Sequence, residues 1–124
     1  MSYKKGDALD IRDLADQLPS EDHLKKGPVA IIECVEEIPC NPCVESCSQG
    51  AISIPGGLNQ VPRMDWEKCT GCGLCVSSCP GLAIFIVDAT EGKSQASVSL
   101  PYEFTPLPEK GEVVMALDRE GSEL

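Results

Sequence analysis

Residues 69 to 80 read Cys69-Thr70-Gly71-Cys72-Gly73-Leu74-Cys75-Val76-Ser77-Ser78-Cys79-Pro80, a complete C-x2-C-x2-C-x3-C-P run. Three cysteines two residues apart wrap a tight loop whose sulfurs converge on three corners of a cube, a geometry that a single ion does not need. Gly71 and Gly73 suit such a loop, which leaves little room for Cβ atoms and aims backbone N–H groups at sulfur. Sliding the sequence over itself by 32 positions lays Cys40, Cys43 and Cys47 on Cys72, Cys75 and Cys79. The same shift lays Ala51-Ile52-Ser53-Ile54 on Ala83-Ile84-Phe85-Ile86, each segment starting four residues after its last cysteine. The cysteine region is therefore an internal duplication, each half reading as strand, cysteine loop, short helix, strand. Val29 to Val35 and Arg63 to Glu67 are the expected opposing strands, and Pro55-Gly56-Gly57 the turn that closes the first half.

The rest of the chain divides around this region. Residues 1–27 are expected to form a helical arm, with Asp7 or Asp10 as cap, Ile11, Leu14 and Leu18 at helical spacing, and Pro19 as the stop. Ser20 then caps a short second turn that ends at Gly27, and a loosely ordered arm is the plainer alternative. His23, the single histidine, lies among Ser20, Glu21, Asp22, Lys25 and Lys26 and reads as a solvated surface residue. Residues 28–88 hold all eight cysteines. Residues 89–124 carry none, with a weakly alternating Ser94 to Leu100, an extended Pro101 to Pro108, a turn at Glu109 to Glu112 and a strand expected over Val113 to Leu117. That tail is a β add-on, a docking arm or a frayed end.

Composition narrows the chemistry. Aromatics are only 4% of the 124 residues, so apolar burial is thin and the cysteines are the obvious supplement to the core. A net charge of -10 and the lack of any basic stripe exclude a nucleic-acid grip and favour basic protein partners. Apolar runs such as Val29 to Ile32 and Ala83 to Val87 are too short to span a membrane. Met1 to Asp7 has no apolar core of a secretory signal, so a cytoplasmic location is expected and a disulfide framework loses its oxidising compartment. Thiolate ligation of metal becomes the leading reading.

The run at 69–80 has the form of the bacterial iron–sulfur pattern, whose last cysteine ligates the other cluster in two-cluster proteins. On these residues the chain resembles the bacterial two-cluster ferredoxins over about Val29 to Val87. The resemblance implies an α+β, duplicated ferredoxin-like fold around two 4Fe-4S clusters, flanked by the N-terminal arm and a C-terminal β extension. Carried onto this chain, it implies that Cys69, Cys72 and Cys75 with Cys47 hold one cluster. The other takes Cys40, Cys43 and Cys79 and needs a further ligand.

Here the chain departs from the pattern. The 32-residue offset places Glu37 opposite Cys69, and Cys34 lies three residues upstream of it, so the first run is Cys34-x5-Cys40-x2-Cys43-x3-Cys47 and ends in Ser48 instead of proline. The preferred reading has Cys34 arch across the longer loop, so that all eight cysteines are used. The alternatives are a 3Fe-4S site, Glu37 as an oxygen ligand, a first half that binds nothing, or Cys34 as a buried strand thiol. Two zinc sites could also use eight cysteines, but a third cysteine two residues on and a fourth followed by proline have no zinc rationale.

A cluster fully ligated by cysteine has no open position for substrate, so its chemistry is one-electron transfer. Two oxidised clusters take the chain from -10 to about -14, which favours low potentials. No second histidine, phosphate loop or flavin or nicotinamide fingerprint is present, so no catalytic residue is expected and the chain reads as an electron carrier, with Trp66 and Phe85 as packing beside the second run. The stretch Gly27 to Cys34 through Ile38 to Cys43 is similar to small iron–sulfur subunits of flavin-dependent dehydrogenases of the proline or hydroxyproline type. That similarity implies a hetero-oligomer with flavin-containing subunits, in which electrons pass between flavin centres or to an external acceptor. A free-standing ferredoxin and a zinc-stabilised interaction module are the other two readings.

Overall fold

β-Branched residues in short runs, separated by proline and glycine, form the two longest strands. The computed structural model describes residues 11–57, 59–90, 95–118 and 121–124. Strand β1 (Val29–Ile32) pairs antiparallel with β4 (Ile84–Asp88), in the register Val29 to Val87 and Ile32 to Ile84. Strands β2 (Ile52–Ser53) and β3 (Arg63–Met64) form a separate antiparallel ladder. The pairing is thus reciprocal: the first strand of the first half meets the last strand of the second, and the two inner strands meet each other. The result is a small mixed arrangement of helix and sheet.

Alternation along β1 and β4 puts Ala30, Ile32, Ile84 and Ile86 on one face, and these four with Ile52 and Cys75 make the buried core. Two five-residue helices, α2 (Pro42–Ser46) and α3 (Leu74–Ser78), lie side by side against this core. Pro42 starts α2 at a position where its missing N–H costs nothing. Gly73 precedes α3 with φ +83°, a left-handed conformation that favours glycine.

From Ile11 the N-terminal arm takes a form different from the expected one. Ile11–Gln17 is a 3-10 helix, whose side chains at i and i+3 eclipse, so Gln17 rather than Leu18 lies below the fully buried Leu14. The expected caps Asp7 and Asp10 lie outside the described residues. Helix α1 (Glu21–Lys26) is capped by Ser20, whose Oγ accepts from the His23 N–H at 3.3 Å, and it ends at Gly27. It packs against β4.

Strand β5 (Ser97–Ser99) adds to the free side of β4, making the three-stranded order β1-β4-β5. The turn at Glu109 to Glu112 forms, closed by the Glu112 N–H on the Glu109 carbonyl at 3.0 Å. The strand expected over Val113 to Leu117 does not: only an isolated bridge joins Leu117 to Glu123. Val113 is 97% exposed and no neighbouring strand lies alongside among the described residues, so β propensity there has no ladder to join.

Candidate metal centres

Each short helix carries one cysteine inside it and a second at its C-cap: Cys43 and Cys47 on α2, Cys75 and Cys79 on α3. The two members of each pair open onto different cavities. Cys34, Cys40, Cys43 and Cys79 line one cavity of about 330 Å³, together with Ile32, Val35, Ile38 and Pro62. Cys47, Cys69, Cys72 and Cys75 line a second, much smaller one of about 20 Å³ beside Ala30, Ile52 and Met64. Each half therefore lends its last cysteine to the cavity built by the other half. The volumes differ so widely that donor chemistry, not cavity size, decides what the second set can hold.

No disulfide joins any of the eight cysteines. Among the described residues no three His, Cys, Asp or Glu side chains converge closely enough to hold a single metal ion. The thiols instead border two hollows, an arrangement suited to a polynuclear core in which each sulfur caps a separate iron. Main-chain donors point at sulfur: the Ala30 N–H reaches Cys69 Sγ at 3.3 Å and the Ala51 N–H reaches Cys47 Sγ at 3.4 Å. Such bonds stabilise negative charge on a thiolate.

Burial pushes up the thiols of Cys34 and Cys43, and that of Cys75 to about 11. For Cys34 the backbone at Glu36 acts in the opposite direction, while the nearby Cys79, Cys40 and Glu36 add to the rise. For Cys75 the neighbours that add to it are Cys69, Cys72 and Cys47. The electrostatic neighbourhoods thus repeat the two groups of four.

Glu37, the alternative oxygen donor, is exposed and does not line the first cavity, whereas Glu33 and Glu36 do. These two acids flank Cys34 in the sequence, a proximity that was available as a signal but carried no geometry. His23 is less solvated than expected. Its Nε2 lies 3.3 Å from Glu67 Oε1 and its ring centre 6.3 Å from that of Trp66, because α1 is laid against the start of the second half. Trp66 in turn donates its indole N–H to the Ala30 carbonyl at 3.1 Å, the same residue whose N–H serves Cys69. The main-chain donors at Ala30 and Ala51 had no sequence signal, since any residue type supplies an N–H.

Comparison with known proteins bears on the second cysteine run. Residues 62–85, which span Cys69, Cys72, Cys75 and Cys79, match the 4Fe-4S binding domain family. The match to a ferredoxin-type 4Fe-4S binding segment is thus confined to this run. Similar proteins are a subunit of an ion-translocating oxidoreductase complex from Methanosarcina acetivorans, 45% identical over 47 residues, and an uncharacterized ferredoxin from Methanocaldococcus jannaschii, 37% identical over 59. A third is the ferredoxin-type protein NapF of Haemophilus influenzae, 34% identical over 62 residues. The matches cover 38%, 48% and 48% of this chain, and only 17%, 34% and 35% of those proteins. The findings support electron transport by iron–sulfur chemistry of the ferredoxin type. Among the described residues no helix is long and apolar enough to cross a membrane.

Proposed function

We propose that the chain holds two 4Fe-4S clusters in a duplicated ferredoxin-like fold and relays single electrons as a subunit of a flavoprotein dehydrogenase complex. In this reading Cys34, Cys40, Cys43 and Cys79 hold the first cluster, and Cys47, Cys69, Cys72 and Cys75 the second. The observation that carries it is the division of eight thiols into two groups of four on either side of one small core, each group completed by a cysteine of the other half. When bound, the clusters supply reversible one-electron oxidation and reduction.

The residues of the chain do the rest. The thiols bind as thiolates, so assembly releases their protons. Ala30 and Ala51 direct N–H groups at Cys69 and Cys47. Ile32, Ile52, Ile84 and Ile86 keep water out from between the two sites. Cys72, exposed where Cys75 is buried, marks the side of the second site nearest solvent and a partner.

The subunit reading draws on the C-terminal extension. Leu100, Tyr102 and Phe104 recur every second residue and are 50%, 45% and 75% exposed. With a chain charge of -10, a second copy and an anionic lipid surface are both repelled, so the fitting occupant is a protein surface with an apolar centre and a basic rim. Purification of the complex from its source tests this. Flavin absorbance should travel with the chain at fixed stoichiometry, and Phe104→Ser should weaken that association. A chain that elutes alone and is indifferent to Phe104→Ser would instead favour the free-standing ferredoxin.

A further inference from the structure

The irregular first run has a support outside both cysteine loops. Strand β1 ends at Ile32, and the Glu33 N–H still reaches the Ala83 carbonyl at 2.8 Å. One residue further on, the Cys34 carbonyl is held by a side chain instead: Gln17 Nε2 donates to it at 2.6 Å. Gln17 is only 8% exposed, on the buried side of the 3-10 helix with Leu14. Its Oε1 is buried and has no partner among the described residues. A carbonyl can only accept, so the orientation of the amide is fixed by Cys34, and the amide oxygen is left without a bond to keep that orientation. A glutamine that gives up one of its own bonds is an expensive way to fill space, since an apolar side chain of equal size would do so without an unsatisfied oxygen.

We propose that Gln17 is the positioning residue for Cys34, fixing its main chain so that the thiol faces the first cavity. The need follows from the spacing. Two residues tether Cys69 to Cys72, but five separate Cys34 from Cys40, so the loop that follows Cys34 does not hold it as tightly as its counterpart is held. The N-terminal arm supplies the missing constraint, 17 residues upstream. This rests on the proposed ligation of the first cluster by Cys34.

The test uses the full chain carrying its clusters. Gln17→Met keeps length and packing volume but removes the amide. Gln17→Glu keeps the shape and replaces the donor with an acceptor that repels the Cys34 carbonyl. Mild oxidation with ferricyanide removes one iron from an insecurely held 4Fe-4S cluster, leaving a 3Fe-4S form with an EPR signal in the oxidised state. Both variants should lose that iron from the first cluster at least fivefold faster than the unmodified chain, with the reduced EPR signal of the second cluster unchanged as the internal control for folding. Wild-type release rates in both variants, set against fast release in Cys34→Ser, would overturn the role of Gln17 alone. Equal loss from both clusters would reduce Gln17 to general packing and overturn it as well. Wild-type release in Cys34→Ser would overturn the ligand assignment and the Gln17 proposal together.

Discussion

Gly71 and Gly73 stand two residues apart in the same cysteine loop, and the structure assigns them different sensitivities to an added methyl group. Both adopt positive φ, +72° and +83°. For any L-residue that conformation costs about 1–2 kcal/mol, so Gly73→Ala, whose new Cβ meets nothing within 4 Å, should lose that amount and no more. At Gly71 the Cβ would lie 2.6 Å from Pro28 Cβ and 2.7 Å from the Pro28 carbonyl oxygen. A backbone carbonyl and a proline ring cannot swing aside, so the loop itself must move. Overpacking of this kind adds about 1–3 kcal/mol, giving Gly71→Ala a total of about 2–5 kcal/mol. At roughly 4 °C per kcal/mol for a domain of this size, the midpoint should fall by about 8–20 °C for Gly71→Ala and by about 4–8 °C for Gly73→Ala. The assay is thermal unfolding followed by visible absorbance at one scan rate, with acid-labile sulfide per chain measured on the same samples. Gly71→Ala should also lose sulfide, because the displaced loop carries Cys69 and Cys72. Indistinguishable midpoints for the two variants would refute the close approach of this loop to Pro28.

Two further outcomes are expected. Trp66→Phe removes the indole donor to the Ala30 carbonyl and should cost about 1–3 kcal/mol if that carbonyl is left unpaired. Because Ala30 also donates to Cys69 Sγ, the same variant should lower the reduction potential of the second cluster, measured by EPR-monitored titration, and an unchanged potential would break the link. In the metal-free protein, burial holds Cys75 protonated up to about 11, so whatever stability it contributes is complete below the ordinary thiol range of about 8.5 and is lost as pH rises toward its folded value. Alkylation by iodoacetamide at pH 8.5, read by mass spectrometry, should therefore be slower at Cys75 than at the exposed Cys72, and equal rates would contradict the effect of burial.

The parts of this fold that were legible in the sequence are those governed by local chemistry. The β-branched runs at Val29 and Ile84 and the Ser20 cap appear where the pattern places them, although β1 stops at Ile32, short of Val35, and β4 runs on to Asp88, beyond Ile86. The 32-residue repeat marks the four strands but not their partners: an opposing strand was expected within each half, and the structure pairs the strands across the halves. What was not legible depends on geometry that residue identity does not encode. Gln17 was hidden because an α-helical period groups Leu18 with Leu14, while the 3-10 period brings Gln17 there. His23 read as solvated because its partners, Trp66 and Glu67, lie more than forty residues away. Val113 to Leu117 read as a strand from β propensity alone, which cannot supply a neighbour.

Iron and acid-labile sulfide per chain, determined on anaerobically purified protein together with EPR before and after dithionite, test the central claim most directly. Two clusters require about eight irons and eight sulfides per chain, no signal from a 3Fe-4S site before reduction, and a reduced spectrum broadened by two interacting S = 1/2 centres. About four irons with a single isolated signal, or a colourless protein containing zinc, would contradict it.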